Sequence, residues 1–116
     1  MYLMIKGKKW KVKYLKRMKV DGHDTDGYCD PKRRVIAIRD KAVNSNDYYR
    51  ILMHEVLHAI WHESGLDNTN IGIDMEEVIV ENFATALNEI FKVSIREAKR
   101  PDIKIVRGQA RSGRDR

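Results

Sequence analysis

One pentapeptide, His54-Glu55-Val56-Leu57-His58, constrains this chain more than anything else in it. It lies inside a segment, residues 47–64, that reads as one helix. Its apolar residues (Ile51, Leu52, Met53, Val56, Leu57, Ala59, Ile60 and Trp61) occupy nearly every side of a 3.6-residue period. A helix that is apolar almost all round belongs at the centre of a domain. Two imidazoles and a carboxylate in such a helix are costly unless something satisfies them. A bound cation would.

The spacing has a mechanical consequence. Residues i and i+4 share one face of a helix, about 6 Å apart along its axis. Imidazoles at 54 and 58 can therefore converge on one ion, and zinc suits imidazole nitrogen at roughly 2.0–2.1 Å. Glu55 is turned about 100° from His54. It can stand beside the metal, within reach of a water whose pKa zinc lowers to about 7, and act as the general base. His62 continues the series, but on a straight helix it lies about 12 Å from His54, too far to share the ion. It is read as a flanking residue that can touch substrate.

A catalytic zinc needs a third protein ligand and one open position. The segment from about Met75 to Phe91 has a helical pattern, with Asp74 placed to cap it, and carries Glu76, Glu77 and Glu81. Glu77 is favoured as the ligand. Glu81, one turn further along the same face, is assigned to a ligand histidine's second nitrogen, although either acid can fill the third position. Two acids at i and i+4 repel on a bare helix, so their pairing fits a nearby cation.

Upstream, the sequence predicts strands. Tyr2 to Lys6, a turn at Gly7-Lys8 and the alternating Lys9 to Tyr14 suggest an N-terminal hairpin. Its core face would include Trp10 and Tyr14, and its other face is lysine. Residues 21–32 read as a loop, with His23 exposed. Arg34 to Ile38 is β-branched and reads as a strand. Asn44 to Asp47 offers helix N-caps, and Gly65 a helix C-cap.

With those elements placed, a resemblance can be stated. LMHEVLHAIWHESGL (Leu52 to Leu66), followed by EEVIVENFATALNEIF (Glu76 to Phe91), resembles the small zincin-fold metallopeptidases of phages and mobile elements, of the ImmA/IrrE type and more distantly the SprT-like type. Gly27-Tyr28-Cys29-Asp30, with Arg34 to Ile38, is similar to their pre-helix strand. The resemblance implies an α+β fold: a small three-stranded antiparallel or mixed sheet packed on the HExxH helix, followed by the glutamate-bearing helix. It implies zinc held by His54, His58 and Glu77, with Glu55 as base. It also implies peptide or protein substrates, held in extended form along an edge strand near Arg34 to Arg39. The domain would cover residues 1–92, leaving 93–116 as a basic, flexible tail.

Composition sets the remaining bounds. The chain has 116 residues, 42% hydrophobic and 34% charged, an ordinary balance for one folded domain. No stretch is apolar and long enough to span a bilayer. The lone Cys29 and the absence of a signal-like N-terminus point to a cytoplasmic protein, in a host cell if phage-encoded. The net charge is +6, but residues 1–19 carry eight Lys/Arg and no acid, whereas residues 20–98 carry eight Lys/Arg and fifteen acids. Basic termini can attract nucleic acid or an acidic partner. The alternative to a peptidase is therefore a basic binding module whose zinc is structural or vestigial. A different amide hydrolase using the same metal site is a third reading. The residue that stabilises the oxyanion is open among Tyr48, Tyr49 and His62, and nothing sets an oligomeric state.

Overall fold

The computed structural model describes residues 1–98, which form a mixed four-stranded sheet, a small two-stranded ribbon and three α-helices. The strands are β1 (Tyr2–Ile5), β2 (Lys8–Leu15), β3 (Lys19–Val20), β4 (His23–Asp24), β5 (Gly27–Asp30) and β6 (Val35–Arg39). The helices are α1 (Asp40–Val43), α2 (Tyr48–Glu63) and α3 (Ile73–Ala98), with a 3-10 turn at Leu66–Asn68 between the last two. The fold class is α+β. None of the helices among the described residues is long and apolar enough to cross a membrane.

The expected hairpin forms: β1 and β2 pair antiparallel, with Leu3 opposite Trp10. Its turn uses left-handed backbone at Lys6 and Gly7, where φ is 49° and 80°. β6 then pairs parallel to β2 and antiparallel to β5, giving the order β1-β2-β6-β5. Alternation along β2 sends Trp10 and Val12 into the core and its lysines outward. Trp10, Ile36 and Ile38 are wholly buried, and with Ile5, Val12, Ile51 and Ala59 they join the sheet to α2.

α2 begins one residue after Asp47, whose side chain makes no cap hydrogen bond. It ends before Gly65, where a left-handed φ of 76° lets the chain turn and the Gly65 N–H reach the His62 carbonyl. A residue with a Cβ would be strained at that position. A second closure is polar. Glu63, at the last position of α2, accepts a hydrogen bond from buried Trp10 Nε1 at 2.8 Å and from Arg34 Nε at 2.6 Å.

Several expectations need correction. The sheet has four strands, because residues 27–30 lie in it as β5 and are not loop. The strand around Arg34 to Arg39 is β6, an interior strand with β2 on one side and β5 on the other. Its hydrogen bonds are taken up, so it offers no edge for a substrate. The edge nearest α2 is β5. Tyr14 does not enter the core: at the end of β2 it is 38% exposed, its hydroxyl 2.9 Å from that of Tyr48. α3 starts at Ile73, so Asp74 sits inside its first turn, and it runs past Phe91 to Ala98. The tail expected over 93–116 thus begins within a helix, and residues 99–116 lie outside those described.

Candidate metal centre

Helix phase brings the site together. His54 and His58 project from one face of α2, and antiparallel α3 packs its first turns against that face. One donor atom each from His54, His58 and Glu77 lies within 4.8 Å of the others. The two Nε2 atoms are 3.2 Å apart. Glu77 Oε2 is 3.7 Å from His54 Nε2, and Oε1 is 2.6 Å from His58 Nε2.

The outer nitrogens are both committed. His54 Nδ1–H donates to Glu81 Oε1 at 2.8 Å, and His58 Nδ1–H donates to Glu76 Oε2 at 2.6 Å. An ionised carboxylate can only accept, so these bonds place a proton on each Nδ1 and leave each Nε2 facing the other ring and the Glu77 carboxylate. Around a tetrahedral ion bound at about 2.1 Å, neighbouring donors are separated by about 3.4 Å. The Nε2 pair at 3.2 Å and the Glu77 Oε2 contact at 3.7 Å lie near that value and Glu77 Oε1 is closer, at 2.6 Å from His58 Nε2, so the donor set suits zinc in chemistry and meets its spacing after a small outward shift of the Glu77 carboxylate. Glu76 as the partner of His58 was not foreseen. Three acids fall within six residues, and only the phase of α3 against α2 decides which nitrogen each one meets.

Further groups fix these. Arg50 Nη1 reaches Glu81 at 3.2 Å and its Nε reaches Asp47 at 3.5 Å, so Glu81 is held between Arg50 and His54. His62 does not join the ligand cluster. Its Nδ1 is 2.7 Å from Asp67 Oδ2, and it lines the cleft beyond His58. Tyr48 is engaged with Tyr14, and neither Tyr48 nor Tyr49 lines the cleft. Of the three residues considered for the oxyanion, only His62 faces it.

Glu55 is the one buried charged residue among those described, 8% exposed. Burial pushes its carboxyl up to about 7; the neighbouring His54 opposes this and the Glu77 carboxylate adds to it. The strand beside it is shaped for it. A Cβ on Gly27 would lie 2.8 Å from Glu55 Oε2 and 2.9 Å from Ile51 Cγ2. Only glycine lets β5 approach α2 this closely. Cys29, on the same strand, has its thiol pushed up to about 12, first by burial and then by the Glu55 charge.

The cleft in front of these groups has a volume of about 660 Å³ and is bounded by β5, the β3–β4 ribbon and the start of α3. Comparison with protein-family models, with curated proteins and with solved structures gives no match. The reading of the site therefore rests on its own chemistry.

Proposed function

We propose that this chain is a zinc-dependent metallopeptidase with a zincin-like fold, hydrolysing peptide bonds with Glu55 as general base. The observation that carries the proposal is the set of Nε2 atoms of His54 and His58 facing the Glu77 carboxylate, with both Nδ1 atoms held by acids. His54, His58 and Glu77 would hold the ion. Glu81 and Glu76 fix ring tautomer and orientation, as carboxylates behind metal-bound histidines do. When bound, the ion supplies a Lewis acid that polarises a carbonyl and acidifies water.

The remaining steps belong to the chain itself. Glu55 takes the proton of the attacking water on a carboxylate oxygen and returns it to the leaving amine. Gly27 and Ile51 confine that carboxylate, so that it meets the water from one direction. The β5 edge supplies substrate binding. The Arg39 N–H bonds to the Asp26 carbonyl at 2.9 Å. Antiparallel alternation then makes Tyr28–Ala37 and Asp30–Val35 the bonded pairs and turns the backbone groups of Gly27 and Cys29 away from β6. An extended peptide can add there as a further strand, which brings a scissile carbonyl toward His54 and His58. This supports a peptide substrate over other amides.

The test is hydrolysis of an unstructured protein such as casein by wild type and Glu55→Gln. The variant is expected to keep its metal and lose activity by at least about a hundredfold. Undiminished hydrolysis by Glu55→Gln would overturn the mechanism.

A further inference from the structure

The face of the sheet turned away from α2 has no helix over it among the described residues. Alternation on β2 puts Lys9, Lys11 and Lys13 on that face. Among the described residues, neither Lys11 nor Lys13 takes part in an ion pair. Register aligns Lys13 with Ala37 on β6 and Ala37 with Tyr28 on β5. In the next row, Lys11 lies between Tyr2 on β1 and Val35 on β6. Both tyrosines are open to solvent, Tyr2 57% and Tyr28 42% exposed.

The β5 side of this face is concave. A recess of about 500 Å³ is lined by apolar Leu15, Met18, Val35 and Ala37, by Tyr28, and by the cations Lys13, Lys19 and Arg33. Ala37 is only 4% exposed, so the small side chain marks a depression. The one acid lining it, Asp30, is already bonded to Arg33 Nη1 at 3.0 Å and to the backbone N–H groups of Lys32 and Arg33. The recess therefore presents a small apolar floor and an aromatic ring, bordered by lysine charge that continues as a row along β2.

A ligand that fills it needs a planar body and anions at regular intervals. A purely acidic peptide would satisfy the lysines and leave Tyr28 and the apolar lining unused. A nucleic-acid strand with unpaired bases uses both, because bases stack on aromatic rings while a basic groove tracks the backbone. We propose that this open sheet face binds single-stranded nucleic acid, with a base stacked on Tyr28 beside Ala37 and the phosphates along Lys13 and Lys11. The proposal uses neither the proposed metal-binding residues nor Glu55, although Tyr28 also borders the metal cleft, so the lysine variants test it separately from the peptidase reading.

The experiment is fluorescence anisotropy of a dye-labelled single-stranded DNA of about 15 nucleotides, titrated with the full chain across a salt series. Affinity should fall steeply as salt rises, and Lys11→Glu/Lys13→Glu should weaken binding at low salt at least tenfold and flatten that dependence. Tyr28→Ala should weaken it about tenfold, and Tyr28→Phe should restore it, because the stacking ring is kept. Should the double glutamate variant melt early, Lys11→Gln/Lys13→Gln tests the same point. Salt-dependent binding that all these variants leave unchanged would assign the DNA to the seven Lys/Arg of residues 99–116 and overturn the proposal. Displacement of the DNA by polyglutamate as readily as by unlabelled strand, with Tyr28→Ala inert, would overturn it in favour of an acidic protein.

Discussion

Glu55 owes its setting to a residue with no side chain. Gly27 sits where any Cβ would fall 2.8 Å from Glu55 Oε2, and displacing a catalytic group by about 1 Å can cost about a hundredfold in rate. Gly27→Ala should therefore lower turnover by roughly ten- to a hundredfold while leaving bound zinc unchanged, as metal analysis run beside the activity assay will show. Two residues along, the thiol of Cys29 is raised to about 12 by burial and nearby carboxylates. Almost none of it is thiolate at neutral pH, and the thiolate is the reactive form. Cys29 should resist iodoacetamide in the native protein and react readily in urea; rapid labelling of the native chain would contradict its placement. Behind the proposed metal ligands, Glu81→Gln and Glu76→Gln should each weaken zinc binding by about 10–100-fold, measured by competition with a chelating dye.

At the level of elements, α2 is tied to the sheet through its last residue. The Arg34 guanidinium and the indole N–H of Trp10 beside Glu63 hold its carboxyl below the usual carboxylate range, with desolvation opposing them. A depressed acid contributes stability that is present above its unfolded-state pKa, about 4.3, and is lost as pH falls through the lower folded-state value. Thermal melts of wild type and Glu63→Gln should thus differ by several degrees at pH 6 and converge toward pH 3. A difference that widened on acidification would reverse the assigned sign. α2 and its chemistry were legible in the sequence because an apolar period and a five-residue spacing are local properties. β5 was pointed to only by the resemblance and not by pattern, because Gly27-Tyr28-Cys29-Asp30 has no alternating pattern of its own, and its strand geometry comes from pairing with β6. For the same reason β6 reads as a strand from its β-branched residues, while its interior position depends on partners far away in sequence. Glu77 near the histidines followed from loop length and helix period. The Glu76–His58 contact needed the rotation of α3 about its axis, which sequence spacing leaves undetermined.

Across the whole molecule, charge and architecture coincide. Lys9, Lys11 and Lys13 of β2 line one face of the sheet, and Glu55, Glu76, Glu77 and Glu81 surround two histidines on the other side. Arg50 already pairs with Glu81, but the remaining carboxylates repel one another until a further cation joins them. An ion that binds only the folded state stabilises it by about 4 kcal/mol at a thousandfold excess over Kd. Zinc should raise Tm by roughly 10 °C or more over the chelated protein, and scanning calorimetry with and without EDTA measures this. The most direct measurement is elemental analysis of dialysed wild type beside His58→Ala. About one zinc per chain in the wild type, and little in the variant, is the predicted result. No zinc in either protein, or the same amount in both, would contradict the metal centre and the peptidase reading built on it.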